Sequence, residues 1–242
     1  MDTNKTMNNK IFQIFLLVFL LGLGLRLLYC IKYPVPVRDS YEYYEYIVRW
    51  KEEGTLPTYR VFPPLALYLY KTVDDLTSCG IIKSAIIINI VVGELLICIV
   101  VYTASRYRFS ILSTLLLGIL VATHPTLIYY SCQPLRENLY LLFCSLFAIS
   151  FITYAQSRKF IDLAGQALFC SLALLARKES LELVFLPVVL LGLTIKSIPL
   201  YITALRIIAY FSIIAIIILL FSFLLHFDLG YLVGYFNEIP TA

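Results

Sequence analysis

The chain is poor in charge, in histidine and in tryptophan. Asp, Glu, Lys and Arg make up 14% of its 242 residues, beside two histidines and a single tryptophan. The two imidazoles, His124 and His226, lie about a hundred residues apart, which excludes a histidine-based zinc motif. The net charge of +4 is spread thinly, with no Lys/Arg block to track a phosphate backbone, so nucleic acid is excluded as a partner. Six cysteines, Cys30, Cys79, Cys98, Cys132, Cys144 and Cys170, show no C-x-x-C spacing. Buried thiols are the default reading. A disulfide among Cys30, Cys79 and Cys132, all near one expected membrane face, is the alternative.

What the chain has in abundance is hydrocarbon. Hydrophobic residues make up 61% of it and its mean hydropathy is +0.88, the composition of an integral membrane protein. Residues 11 to 31 form an apolar run long enough to cross a hydrocarbon core of about 30 Å. Bulky residues at its end, Leu28-Tyr29-Cys30-Ile31, favour a retained signal anchor over a cleaved leader. Further runs at 81 to 103, 109 to 130, 136 to 155, 161 to 176, 180 to 196 and 204 to 226 give an all-α fold of about seven spans in one domain, 1 to 242. The fifth and sixth runs are short, as in weakly tilted or partly re-entrant segments.

Basic residues fall on alternate connections: Lys5 and Lys10, then Arg106 and Arg108, then Arg158 and Lys159, then Lys196 and Arg206. The positive-inside bias makes those connections, and the N-terminus, cytoplasmic. The long loop 32 to 80, the turn "HPTLIYYSCQPLREN" (124 to 138), the turn "ARKES" (176 to 180) and the tail after His226 then share the opposite side of a plasma or inner membrane.

The long loop is the most polar part of the chain. Tyr43, Tyr46, Ile47 and Trp50 recur at helical spacing, with Glu42, Glu45, Arg49, Glu52 and Glu53 on the other side and Gly54 at the end. That pattern predicts a short amphipathic helix in the membrane interface, its aromatic residues at headgroup level. Pro57 and the Pro63-Pro64 pair stop it, and a second juxtamembrane helix is expected over Leu65 to Leu76. Asp39, followed three residues on by Glu42, fits an N-capping pattern. It also fits a general base held at the membrane surface. Arg26 and Glu94 lie inside apolar runs, where ionisable groups are costly and face protein or water. Their depths do not coincide on a simple count, and neither is given a partner.

The order of features is similar to that of the GT-C membrane glycosyltransferases, in the branch of protein O-mannosyltransferases and aminoarabinose transferases. The resemblance rests on the N-terminal span, "RDSYEYYEYIVRWKEEG", "RVFPPLALYLYK", "VYTASRYR", "HPTLIYYSCQPLREN" and "LLARKESLELVFLP" in sequence, over most of residues 11 to 195. It implies transfer of a sugar from a polyprenyl-phosphate donor to a glycan, lipid or protein acceptor outside the cytoplasm, in the cell envelope. Asp39 would be the catalytic base. Arg38, Tyr43, Arg60, Arg136, Glu137, Arg177, Lys178 and Glu179 would bind substrate, the cations Arg60, Arg136, Arg177 and Lys178 facing the phosphate. Glu137 and Glu179 either pair with neighbouring arginines or meet sugar hydroxyls or a divalent cation. No metal ligand set and no cofactor beyond the lipid-linked donor is assigned. Phe62 stands where many relatives carry Lys or His before the Pro-Pro pair, and the chain corresponds to the N-terminal part of the family's usual length. A non-catalytic or truncated membrane subunit that binds polyprenyl-phosphate lipid is the alternative.

Overall fold

The computed structural model describes residues 3–33, 38–54, 64–193 and 199–225, and every regular element among them is helical. The helices are α1 (Thr3–Lys32), α2 (Arg38–Glu53), α3 (Pro64–Thr77), α4 (Ile81–Arg106), α5 (Ile111–Thr123), α6 (Pro125–Ser131), α7 (Glu137–Ser157), α8 (Phe160–Ala176), α9 (Leu181–Leu193) and α10 (Leu200–Leu225). A 3-10 turn, Lys178–Ser180, joins α8 to α9.

Four stretches are long and apolar enough to cross a membrane: Asn9–Lys32, Ile81–Arg106, Glu137–Ser157 and Leu200–Leu225. The run expected as one span over 109 to 130 is instead two helices, α5 and α6, bent by 52°. The cause is Pro125. It has no N–H for the helical ladder and bars helical geometry at the residue before it, and His124 accordingly sits in extended backbone at φ −63°, ψ 118°. Counted as one broken span, the pair brings the total to five. The two short runs become α8, at 17 residues, and α9, at 13 residues with Pro187 inside it. At 1.5 Å per residue, α9 reaches only about 20 Å.

The described residues form two compact units, the first of Met1–Glu42 with Thr72–Asn138, the second of Tyr43–Lys71 with Leu139–Ala242. In the first unit α1, α4 and α5 pack around Ile14, Val18, Ile97, Val101 and Ala122. Gly118 makes the close approach of α5 possible: a Cβ there would lie 3.1 Å from the methyls of both Val18 and Val101. In the second unit α7, α8, α9 and α10 enclose Phe147, Tyr154, Leu163, Ala167, Cys170, Leu174, Val184, Tyr210 and Ile214. Arg206 ties α10 to the end of α7, donating to the Tyr154 hydroxyl and to the carbonyl of Arg158, both at 3.2 Å.

Outward faces stay apolar. The membrane-length windows of α1 and α10 are only 22% and 11% buried, with Leu17, Leu20, Leu28, Ile208, Ile216 and Phe223 exposed. Patches of that kind are insoluble in water and suit lipid tails.

The helices of the loop 32 to 80 follow the local code. Helix α2 ends at Glu53 before Gly54 at φ +73°, a left-handed position that favours glycine. Helix α3 opens on Pro64, whose missing N–H costs nothing at a first helical position. The aromatic face of α2 packs on protein. Tyr43, Ile47 and Trp50 are buried, with Tyr43 beside Tyr70 at 6.3 Å between ring centroids and Trp50 beside Tyr68 at 6.4 Å. Lys71 covers the Trp50 ring at 5.5 Å. The amphipathic stripe finds protein to pack on, and burying those rings in protein removes the need for an interfacial berth.

Candidate functional site

At one end of the first unit, the last turn of α1, the first turn of α2, helix α6 and the start of α7 bring hydroxyls and carboxylates together. Asp39 is exposed in the first turn of α2. It is the acidic residue of that first turn, in a helix that begins at Arg38. There the carboxylate faces the positive end of the helix dipole. The Tyr129 phenol lies within electrostatic reach of Asp39, Glu137, Tyr29 and Tyr130. The Tyr129 and Tyr130 rings are 5.6 Å apart, and Tyr29 stacks at a tilt on Tyr33 at 4.8 Å. Among the buried oxygens of this unit without a protein hydrogen-bond partner are Oε2 of Glu137 and Oγ of Ser40, beside Oε2 of Glu94, Oγ1 of Thr103, the hydroxyl of Tyr107 and Oδ1 of Asn138. A buried acceptor without a donor is costly, and at a site it is an opening for a hydroxyl or amine of a ligand.

Beneath this cluster lies a polar network among helices otherwise made of hydrocarbon. Arg26 of α1 is completely buried. Its Nη1 donates to Oε1 of Glu94 at 3.1 Å, its Nε to Oγ of Ser131 at 2.9 Å and its Nη2 to the carbonyl of Gly93 at 3.5 Å. Ser131 Oγ also accepts from Nδ2 of Asn138 at 2.7 Å and donates to the carbonyl of Leu127 at 2.8 Å. Nδ2 of Asn89 donates to the carbonyls of Gln133 and Leu135 at 2.6 and 2.8 Å. These bonds hold the α6–α7 turn, which carries Arg136 and Glu137, against α1 and α4. Glycine makes the space: a Cβ on Gly93 would lie 2.6 Å from Nε of Arg26, and one on Gly22 would lie 2.9 Å from its Nη1. Arg26 and Glu94 are therefore each other's partner. Asn89, Ser131 and Asn138 were not legible as site residues, although each is a polar side chain in or beside an apolar run.

In the second unit the turn after α8 holds the other predicted residues. Arg177 Nε donates to Oε2 of Glu179 at 3.2 Å, the two side chains 34% and 38% exposed, and its guanidinium stands 5.6 Å from the centre of the Tyr140 ring. Of the two expectations for Glu179, the arginine pair is the one observed. Lys178 is buried, and Ser180 Oγ donates to the carbonyls of Ala173 and Arg177 at 2.9 and 2.7 Å, closing the turn. Tyr43 is buried against Tyr70 in this unit. Arg60 lies outside the described residues, as does the side chain of Arg38, while Arg136 is half-buried in the turn before α7.

The structure thus brings Asp39 and Glu137 within electrostatic reach of Tyr129, and pairs Arg177 with Glu179. Among the described residues no group of three or more His, Cys, Asp and Glu side chains could hold a metal ion. Comparison with models of known protein families, with curated proteins and with solved structures finds no match for the chain.

Proposed function

We propose that the chain is a glycosyltransferase of the GT-C type, moving a sugar from a polyprenyl-phosphate-linked donor to an acceptor outside the cytoplasm. The observation that supports the reading is that Asp39 and Glu137 lie within electrostatic reach of the Tyr129 phenol in a unit built of membrane-length helices. In this reading the seven apolar helical segments span or enter the bilayer, the N-terminus is cytoplasmic, and the loop 32 to 80 is external. Asp39 takes the proton of the acceptor hydroxyl as that oxygen attacks the anomeric carbon, and the phosphate leaves with the lipid. The orphaned Oε2 of Glu137 accepts a hydrogen bond from a sugar hydroxyl, and Tyr129 orients it. Arg136 supplies positive charge to the departing phosphate. The test is sugar transfer by membranes that contain the wild-type chain or Asp39→Asn.

A further inference from the structure

The α6–α7 turn touches α1 at a second point, one residue beyond Ser131. Cys132 is buried and donates from Sγ to the carbonyl oxygen of Arg26 at 3.1 Å. In an α-helix that same carbonyl accepts the amide of the residue four positions on, which here is Cys30. The sulfur of Cys132 therefore rests against the very turn of α1 that ends in Cys30, and each thiol feels the other electrostatically. Both are free thiols, Cys132 enclosed and Cys30 half-exposed two residues before Lys32 at the end of the helix. An accessible thiol backed by an enclosed one is the arrangement in which a disulfide is accepted and then resolved.

We propose that Cys30 and Cys132 form a dithiol site whose substrate is a disulfide, and that its reaction staples the last turn of α1 to the α6–α7 turn. The Cys30 thiolate attacks one sulfur of the donor disulfide, RSSR. The S–S bond of the donor breaks, a mixed disulfide forms on Cys30, and the first RSH leaves with the proton from Cys30. The Cys132 thiolate then attacks the Cys30 sulfur, and the second RSH leaves with the proton from Cys132. The protein loses two electrons and two protons, and the donor gains both. The staple acts on the turn between Ser131, which ends α6, and Glu137, which opens α7, so it fixes covalently what the Arg26 network fixes by hydrogen bonds. This inference does not depend on the sugar-transfer reading.

The experiment uses the full-length chain, purified in detergent and treated with oxidised glutathione as RSSR. Free thiols are then alkylated, and the cross-linked peptides are identified by mass spectrometry. The expected result is a Cys30–Cys132 disulfide, two fewer alkylated thiols, and a higher midpoint of thermal unfolding than the reduced protein shows. Cys132→Ser should halt the reaction at the glutathione mixed disulfide on Cys30, and Cys30→Ser should abolish both products. The proposal is overturned if glutathione accumulates on Cys30 of the wild-type chain without a cross-link, if wild-type Cys30 gains neither glutathione nor a cross-link, or if either cysteine pairs with a different one.

Discussion

The guanidinium of Arg26 and the carboxylate of Glu94 meet at 3.1 Å, with side-chain exposures of 0% and 5%, between two helices long enough to cross a membrane. A buried pair of this kind is far more costly to break than to replace, because removing one partner strands the other charge. We expect Arg26→Met alone to destabilise the protein by about 3–5 kcal/mol. The double variant Arg26→Met with Glu94→Leu should be markedly less harmed than the sum of the two single changes. Thermal or denaturant unfolding in detergent measures both, and additive losses would contradict the pairing.

The same network depends on empty space at glycine. Gly93→Ala should cost about 1–3 kcal/mol, since its Cβ would meet Nε of Arg26 at 2.6 Å and Oγ of Ser131 at 2.5 Å. Gly24→Ala is the control. Nothing lies within 4 Å of a Cβ there, and the higher helix propensity of alanine should make that change neutral or slightly stabilising.

Tyr129 lies within electrostatic reach of both carboxylates of the candidate site, and its ring packs beside Tyr130. Tyr129→Phe keeps the ring and deletes the hydroxyl. If the phenol orients Glu137 or the acceptor, transfer should fall by about 10-fold to 100-fold with little change in thermal stability, the loss expected when one positioned hydrogen bond is removed at about 1.4 kcal/mol per tenfold. Equal activity in the two proteins would remove Tyr129 from the site.

Cys79 is an exposed-side thiol in the corner between α3 and α4. Hydrogen bonding with Ser84 and then Thr77, each at 3.2 Å, holds it below the ordinary thiol range. A lowered value means more thiolate at a given pH, so alkylation of Cys79 should reach half its maximal rate at a lower pH than that of an ordinary exposed thiol. Ser84→Ala should shift that midpoint upward. A midpoint unchanged by Ser84→Ala would show that the hydroxyl does not stabilise the thiolate.

Helix identity was written locally, while the contacts between helices were not. Gly54 and Pro64 announce the end of α2 and the start of α3, because each has a backbone preference that acts within one turn. Pro125 announces the α5–α6 break in the same way, but the unbroken apolar run around it reads as one span. The Arg26–Glu94 pair was hidden by counting depth from the ends of the apolar runs. That count ignores the reach of an arginine side chain and the close approach that Gly22 and Gly93 permit. The stripe of Tyr43, Ile47 and Trp50 specifies a buried face without specifying its cover, and lipid headgroups and the rings of α3 satisfy it equally well. Asp39 was legible as a carboxylate at a helix start, and its proximity to Tyr129 and Glu137, residues far along the chain, was not.

The central claim is tested most directly by sugar transfer from a polyprenyl-phosphate donor pool, using membranes that contain equal amounts of the wild-type chain or Asp39→Asn. The account predicts transfer by the wild type and its loss in Asp39→Asn, with both proteins unfolding at the same temperature. Equal transfer by the two proteins would contradict the role given to Asp39. Donor lipid bound by both with transfer by neither would contradict the enzyme itself and leave the lipid-binding subunit as the reading.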